Sequence, residues 1–175
     1  MKKLLIVSSI ALTILAAILM NAKSQTPSVV NSVKISSLYL YPTASPSSTF
    51  SLIDDPSRLT AIFGTPTSST TKFEEFYNSN VQRVEYRGLK FSYLDDEILN
   101  LHIKSPVVSM ALVGSKGFKV GDKISNLDSI FPDSYALRKD ESIYISITAP
   151  DGSPTDGFIN IFYGSDNTIT DIIIR

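Results

Sequence analysis

The chain has 175 residues, 16 Lys and Arg against 17 Asp and Glu, one histidine and no cysteine. A near-neutral chain without a cluster of bases lacks the electrostatic footprint of a nucleic-acid binder, so nucleic acid is not expected as a partner. The missing cysteine excludes disulfides, thiolate metal sites and a lipid-bearing Cys anchor.

The N-terminus reads "MKKLLIVSSIALTILAAILMNAKSQ", with two lysines, an uncharged run from Leu4 to Met20 and small residues at Ala22 and Ser24. That order is the plan of a secretory signal peptide, with cleavage expected after Ser24 and the mature protein secreted or periplasmic. The 17-residue run also reaches the lower edge of a membrane-spanning length, so an uncleaved N-terminal anchor is the competing reading. The membrane is a partner only in that case. Removing residues 1–24 takes Lys2, Lys3 and Lys23 and no acid, which leaves 13 bases against 17 acids over 151 residues.

Residues 25–49 form a Ser/Thr/Pro-rich lead interrupted by one strand-like stretch, "VKISSLYLY" at 33–41. From Asp54 to Gly64 the pattern is helical: Asp55 caps, Pro56 suits the first helical position, and Leu59, Ile62 and Phe63 share a face. Gly64-Thr65-Pro66 ends it. Strand-like segments follow at 73–77, 81–86, 89–94 and 98–103, the last two joined by a turn at Asp95-Asp96-Glu97. The phase that Val84 and Tyr86 share breaks at Arg87-Gly88 and resumes at Leu89, which predicts a bulge at the glycine. "VGSKGF" at 113–118 reads as a flexible link.

Residues 118–132, "FKVGDKISNLDSIFP", then repeat residues 50–64, "FSLIDDPSRLTAIFG", at an offset of 68 with six identities. Asp122 or Ser125 is placed to cap, Ser125 and Asp128 stand at capping-box spacing, and Pro132 is expected to stop the helix. Strands are expected at 134–138, 142–148, 158–163 and 168–174. The match continues at an offset of 70, Leu89, Phe91 and Tyr93 onto Ile159, Ile161 and Tyr163, and at 71, Ile98, Leu101 and Ile103 onto Ile169, Ile172 and Ile174. The predicted fold is α+β, with two tandem units over 50–113 and 114–175, each a short helical element packed on an antiparallel sheet. A helix this short is marginal in water unless its apolar stripe is covered. Side-chain phase puts Val84, Tyr86, Leu89, Phe91, Tyr93, Leu99, Leu101 and Ile103 on the inner face of the first sheet. In the second, Ile143, Ile145, Ile147, Ile159, Ile161, Tyr163, Ile172 and Ile174 face inward.

Little in the chain carries chemistry. His102 stands on a strand without an i+4 ligand, so a structural histidine is expected and no metal or cofactor. The acidic turn lacks the alternating ligands of a calcium loop. There is no Gly-x-Ser-x-Gly elbow and no phosphate loop. The chain is therefore not expected to be an enzyme, a small hydrolase being the remote alternative. The outer faces are more informative. Tyr144, Phe162 and Ile173 are large apolar side chains on the solvent side of the second sheet and are the expected anchors of a contact with a protein partner. Arg83, Glu85, Lys90 and His102 extend that surface. The expected function is an exported, non-catalytic protein-binding module, the alternative being an N-terminally anchored structural component of the envelope.

The motifs "F-x-x-G-D" at Phe118–Asp122, "I-F-G-T-P" at Ile62–Pro66 and "Y-R-G-L-K-F-S-Y" at Tyr86–Tyr93 give residues 50–175 a layout similar to the tandem modules of beta-lactamase inhibitory proteins. More distantly it resembles the small outer-membrane assembly lipoproteins. The resemblance implies protein binding through an exposed, concave sheet surface. The chain departs from the first group in having no disulfides and from the second in having no cysteine for a lipid.

Overall fold

A computed structural model describes residues 29–95 and 97–175; the expected signal peptide and Asp96 of the acidic turn lie outside the described residues. The architecture is α+β and dominated by strands. β1 (Ser32–Lys34) and β2 (Leu38–Pro42) precede β3 (Phe50–Ser51), a helical passage ending in α1 (Leu59–Phe63), and a meander of β4 (Ser68–Glu74), β5 (Ser79–Tyr86), β6 (Leu89–Leu94) and β7 (Glu97–Ile103). β8 (Val108–Leu112) and β9 (Phe118–Lys119) lead to a second helical passage ending in α2 (Pro132–Ala136), then β10 (Ser142–Thr148), β11 (Pro154–Tyr163) and β12 (Ile169–Ile174).

Eight strands form one sheet in the order β1-β10-β11-β12-β7-β6-β5-β4, and four form another in the order β3-β2-β8-β9. Two antiparallel seams join early and late parts of the chain. In the large sheet β7 meets β12 with His102 opposite Ile173, and in the small sheet β2 meets β8 with Leu40 opposite Met110. The middle pairs of the two seams, His102 with Ile173 and Leu40 with Met110, are 71 and 70 residues apart, close to the offsets found in the sequence. Bulges fall at matched places too: Leu99 is the extra residue opposite Ser92 and Tyr93, and Thr170 opposite Phe162 and Tyr163.

A single buried cluster lies between the sheets. The large sheet contributes Val84, Tyr86, Leu89, Phe91, Leu101 and Ile103 from one half and Ile143, Ile145, Ile159, Ile161, Ile172 and Ile174 from the other. Leu38, Leu40, Met110, Phe50 and Phe118 cover them from the small sheet, and Leu59, Leu127 and Phe131 from the helical passages. Edge-on aromatic pairs lock the layers, Phe50 against Phe91 at 5.9 Å and Phe118 against Phe131 at 5.8 Å. The first helical passage starts as expected, with Asp55 accepting from Ser57 N at 2.8 Å and Pro56 in the first turn. The aspartate shared by the two copies does not cap at all. Asp54 Oδ2 accepts from Ser51 N at 2.9 Å and Asp122 Oδ2 from Lys119 N at 3.1 Å, closing the turn after β3 and β9.

Several expectations are corrected. Neither Asp122 nor Ser125 caps the second passage, whose 3-10 turn at Ile124–Leu127 has no side-chain cap. Pro132 opens α2 instead of ending a helix, because its preset φ fits a first helical position, and this makes 134–136 helical where a strand was expected. The strand placed at 73–77 is β4, which ends at Glu74 ahead of a turn. Its first six residues are exposed on both faces, so the apolar alternation that announces a strand is missing. Arg87-Gly88 is a two-residue hairpin turn with Gly88 at φ +76°, not a bulge, and the true bulge turns Ile98 toward the core in place of Leu99. The stretch 33–41 is broken at Ile35–Ser37, and its second part, β2, is paired on both sides in the small sheet. The 113–118 link is tied down by Val113 N donating to Ser37 O at 2.9 Å.

Leu59 and Leu127, which the offset of 68 matches in the sequence, are 1% and 0% exposed. Replacing either with alanine should cost about 2–5 kcal/mol in chemical denaturation, whereas Leu99→Ala should cost far less. Gly88→Ala should destabilise because an L residue is strained at this φ and its Cβ would collide with Ser105. Ser105→Gly should recover the steric part alone. Asp166 ties the β11–β12 turn to the second passage: its carboxylate accepts from Thr168, whose hydroxyl also accepts from Lys123 Nζ at 2.8 Å. These bonds, Thr168 first, hold the Asp166 carboxyl below its ordinary 3.8. Stability from this group is therefore complete above that value and lost as pH falls through the lowered one. Melting temperatures of the wild type and Asp166→Ala should differ at neutral pH and converge in strong acid.

Candidate functional site

Strand alternation that sends the isoleucines into the core sends a second set of side chains to the opposite face of the large sheet. Cross-strand pairing lines up Tyr144, Asn160, Ile173, His102, Lys90 and Glu85 in one row over β10, β11, β12, β7, β6 and β5. Five of the seven residues expected to bind stand in this row. Phe162 and Arg83 stand in the rows beside it, Phe162 opposite Asp171 and Arg83 opposite Ser92.

The row changes character at the β7–β12 seam. On the β5–β7 side the charges are satisfied within the chain: Lys90 Nζ lies 2.9 Å from Glu85, Arg83 pairs with Glu74, and His102 Nε2 lies 2.8 Å from Asp171 Oδ1. The last contact crosses the seam. On the β10–β12 side the surface is apolar. Tyr144 is 42% exposed and stacks on Phe158 at 5.1 Å, with Phe162 and Ile173 half-buried nearby.

Four residues of this face were not among those expected to bind: Phe158, Asn160, Asp171 and Arg175. Each has the strand phase of a residue that was, Phe158 and Asn160 that of Phe162, Asp171 and Arg175 that of Ile173. Asn160 sits between Tyr144 and Ile173 across the strands and between Phe158 and Phe162 along its own. Its Oδ1 is buried with no hydrogen-bond partner among the described residues. Asn is disfavoured within strands, and a buried unpaired acceptor costs about 1–3 kcal/mol, so stability does not account for it. Arg175 exchanges backbone hydrogen bonds with Phe158 at 2.8 and 3.1 Å, while its guanidinium has no ion pair among the described residues. With Tyr77, Ser92, Leu99 and Asn100 it lines an open depression beside Arg83.

Among the described residues no group of three or more His, Asp or Glu is gathered as metal ligands, and no helix is long and apolar enough to cross a membrane. No family model matches the chain, and no curated protein matches it. Among solved structures it is similar to an extracellular protein containing an SCP domain from Bacillus anthracis str. Ames, with 10% identity and a TM-score of 0.43. That match covers 71% of this chain and 43% of the other, so the chain spans less than half the length of that protein.

Replacing Asn160 with valine should stabilise the protein by about 1 kcal/mol, since it removes an unpaired acceptor and adds a strand-favouring side chain. Equilibrium unfolding measures this directly, and a loss of stability would mean that the amide makes a bond the fold needs. A double-mutant cycle of His102→Ala and Asp171→Ala should return a coupling of about 0.5–1.5 kcal/mol across the seam.

Proposed function

We propose that this is an exported, non-catalytic protein-binding module whose contact surface is the outer face of the large sheet. The observation that carries the reading is the group of Tyr144, Phe158, Phe162 and Ile173 around Asn160, half-buried to exposed on a face that contributes nothing to the core. A central apolar group rimmed by polar side chains is the anatomy of a binding patch. Lys90, Arg83 and His102 beside it are paired with Glu85, Glu74 and Asp171, an arrangement suited to orienting a partner rather than to moving a proton on a substrate. Export rests on the N-terminal sequence. The spacing of the seams and the matched bulges support descent from a duplicated unit, one copy having kept charged side chains where the other acquired apolar ones. A photo-crosslinking residue at position 144 should capture a partner in the native envelope fraction, and one at Ser47 should not. Phe162→Ala with Ile173→Ala, in protein whose circular dichroism is unchanged, should abolish capture. Equal capture from Ser47, or undiminished capture by the double variant, would place the binding surface elsewhere.

The uncharged run Leu4–Met20 favours a second reading, in which the same module is tethered to the membrane by an uncleaved N-terminus. Intact-mass measurement separates the two, because a protein beginning near Gln25 has lost that segment.

A further inference from the structure

We propose that the open edge of β4 takes up an extended strand of a partner protein, which adds to the large sheet beside it. This surface is separate from the outer face, and the proposal goes beyond the function read from that face. The two sheets end in four edge strands. Three of them are short: β1 has three residues, β3 and β9 two each. β4 runs for seven, and its register with β5 is unbroken over all seven pairs. A long edge strand invites pairing with another chain, and native folds blunt it with proline, a bulge, inward-pointing charge or a covering element. Among the described residues β4 has none of these, and its first six residues are exposed. Its one base, Lys72, lies 3.5 Å from Glu74 Oε1 on the same strand, while Ser69, Thr71 and Phe73, on the face that Ser69 shares with Val84, are uncharged.

Hydrogen-bond alternation fixes which backbone groups are free. The two-residue turn Arg87-Gly88 makes Tyr86 and Leu89 the hydrogen-bonded pair that closes the β5–β6 hairpin. Tyr86, Val84 and Gln82 therefore bond to β6, and Glu85, Arg83, Val81 and Ser79 to β4. In keeping with this, Glu85 O accepts from Thr67 N at 2.7 Å, just ahead of β4. The partners of the second set, Ser68, Thr70, Lys72 and Glu74, are the β4 residues that bond to β5. Ser69, Thr71 and Phe73 turn N–H and C=O to the open edge. Alternating donors and acceptors at strand spacing are matched by the backbone of an extended polypeptide. Short hydroxyl side chains at 68–71 leave the row unobstructed, and Phe73, 53% exposed, offers a cross-strand contact. The occupant is thus an extended, proline-free segment with a large apolar residue beside Phe73. The β4 strand of a second copy is the poorer match, because antiparallel pairing about Thr71 sets Phe73 opposite Ser69 and leaves both rings uncovered.

Titration of protein expressed from the full chain into a fluorescein-labelled peptide of alternating Thr and Val that carries one Phe should give a saturable rise in anisotropy. The same peptide N-methylated at alternate amides should not bind. In hydrogen exchange the bound peptide should slow the amides of Ser69, Thr71 and Phe73 at least about tenfold and leave those of Thr70 and Lys72, already bonded to β5, within about twofold. Thr71→Pro removes an outward donor and no bond to β5, so it should melt close to wild type yet weaken binding at least about tenfold. Thr71→Val keeps the N–H and should bind within about threefold of wild type. Absence of saturable binding, unchanged exchange at the three outward amides, or full binding by a folded Thr71→Pro overturns the proposal. Self-association without peptide that Thr71→Pro abolishes would seat a second copy's β4 on the edge and overturn the assignment to a partner strand. The crosslink from position 144 reports separately on the outer face.

Discussion

Three residue pairs between β7 and β12 hold the eight strands of the large sheet together as one. Leu101, His102 and Ile103 face Ile174, Ile173 and Ile172 there, and among the described residues no other pairing of the large sheet joins its two meanders. Everything laid on the inner face depends on that continuity. The α-helices are five residues each, far too short to persist without a surface beneath them, and the small sheet offers two of its strands only two residues long. Leu59, Leu127, Phe50 and Phe118 become a core because a joined sheet gives them a common floor. Hydrophobic burial, not local propensity, therefore holds the helical passages in place.

The same pairing explains how the two faces of the sheet diverged. Inward positions that correspond across the seam are apolar in both halves, Leu101 with Ile172 and Ile103 with Ile174, since each has to fill the space under the covering layer. Outward positions are free of that demand. His102 corresponds to Ile173, Lys90 to Asn160 and, by register, Glu85 to Tyr144. One half of the row is charged and the other largely apolar. A sheet can vary on its solvent side at little cost to its stability, so a broken local rule such as Asn160 stands out against a regular background.

Much of this was legible in the sequence. Period-2 alternation located β5, β6, β7, β10 and β12 and separated most of their faces, and the matched stretches Phe50–Phe63 and Phe118–Phe131 both supply core residues. What escaped notice shares a physical cause: pattern fails where burial is not one-sided. β4 is exposed on both faces and β8 is buried at Ser109 and Ala111 as well as Val108 and Met110, so neither alternates. Bulges are invisible for a related reason, because one extra residue transfers Ile98 to the core and Leu99 out of it without changing composition. Pro132 carried two opposite meanings, helix stop and helix start, and only the chain's path after Phe131 chose between them. Of the candidate face, the side chains were legible and their alignment was not, since a row across six strands is written in register and no single segment contains it.

The placement of β1 has a mechanical consequence. This strand is attached to the large sheet by three parallel pairs with β10, and Asn31 beside it is clasped to α2, its N–H donating to Ser134 Oγ and its Oδ1 accepting from Ser134 N, both at 2.9 Å. β2, only a few residues further on, is paired on both sides in the small sheet and carries Leu38 and Leu40 into the core. Tension entering along the chain from the residue 29 side is thus met first by a small detachable clasp and only then by a buried strand. Under load β1 would yield ahead of the rest, releasing several residues of chain while the other strands and the outer row stayed as they are.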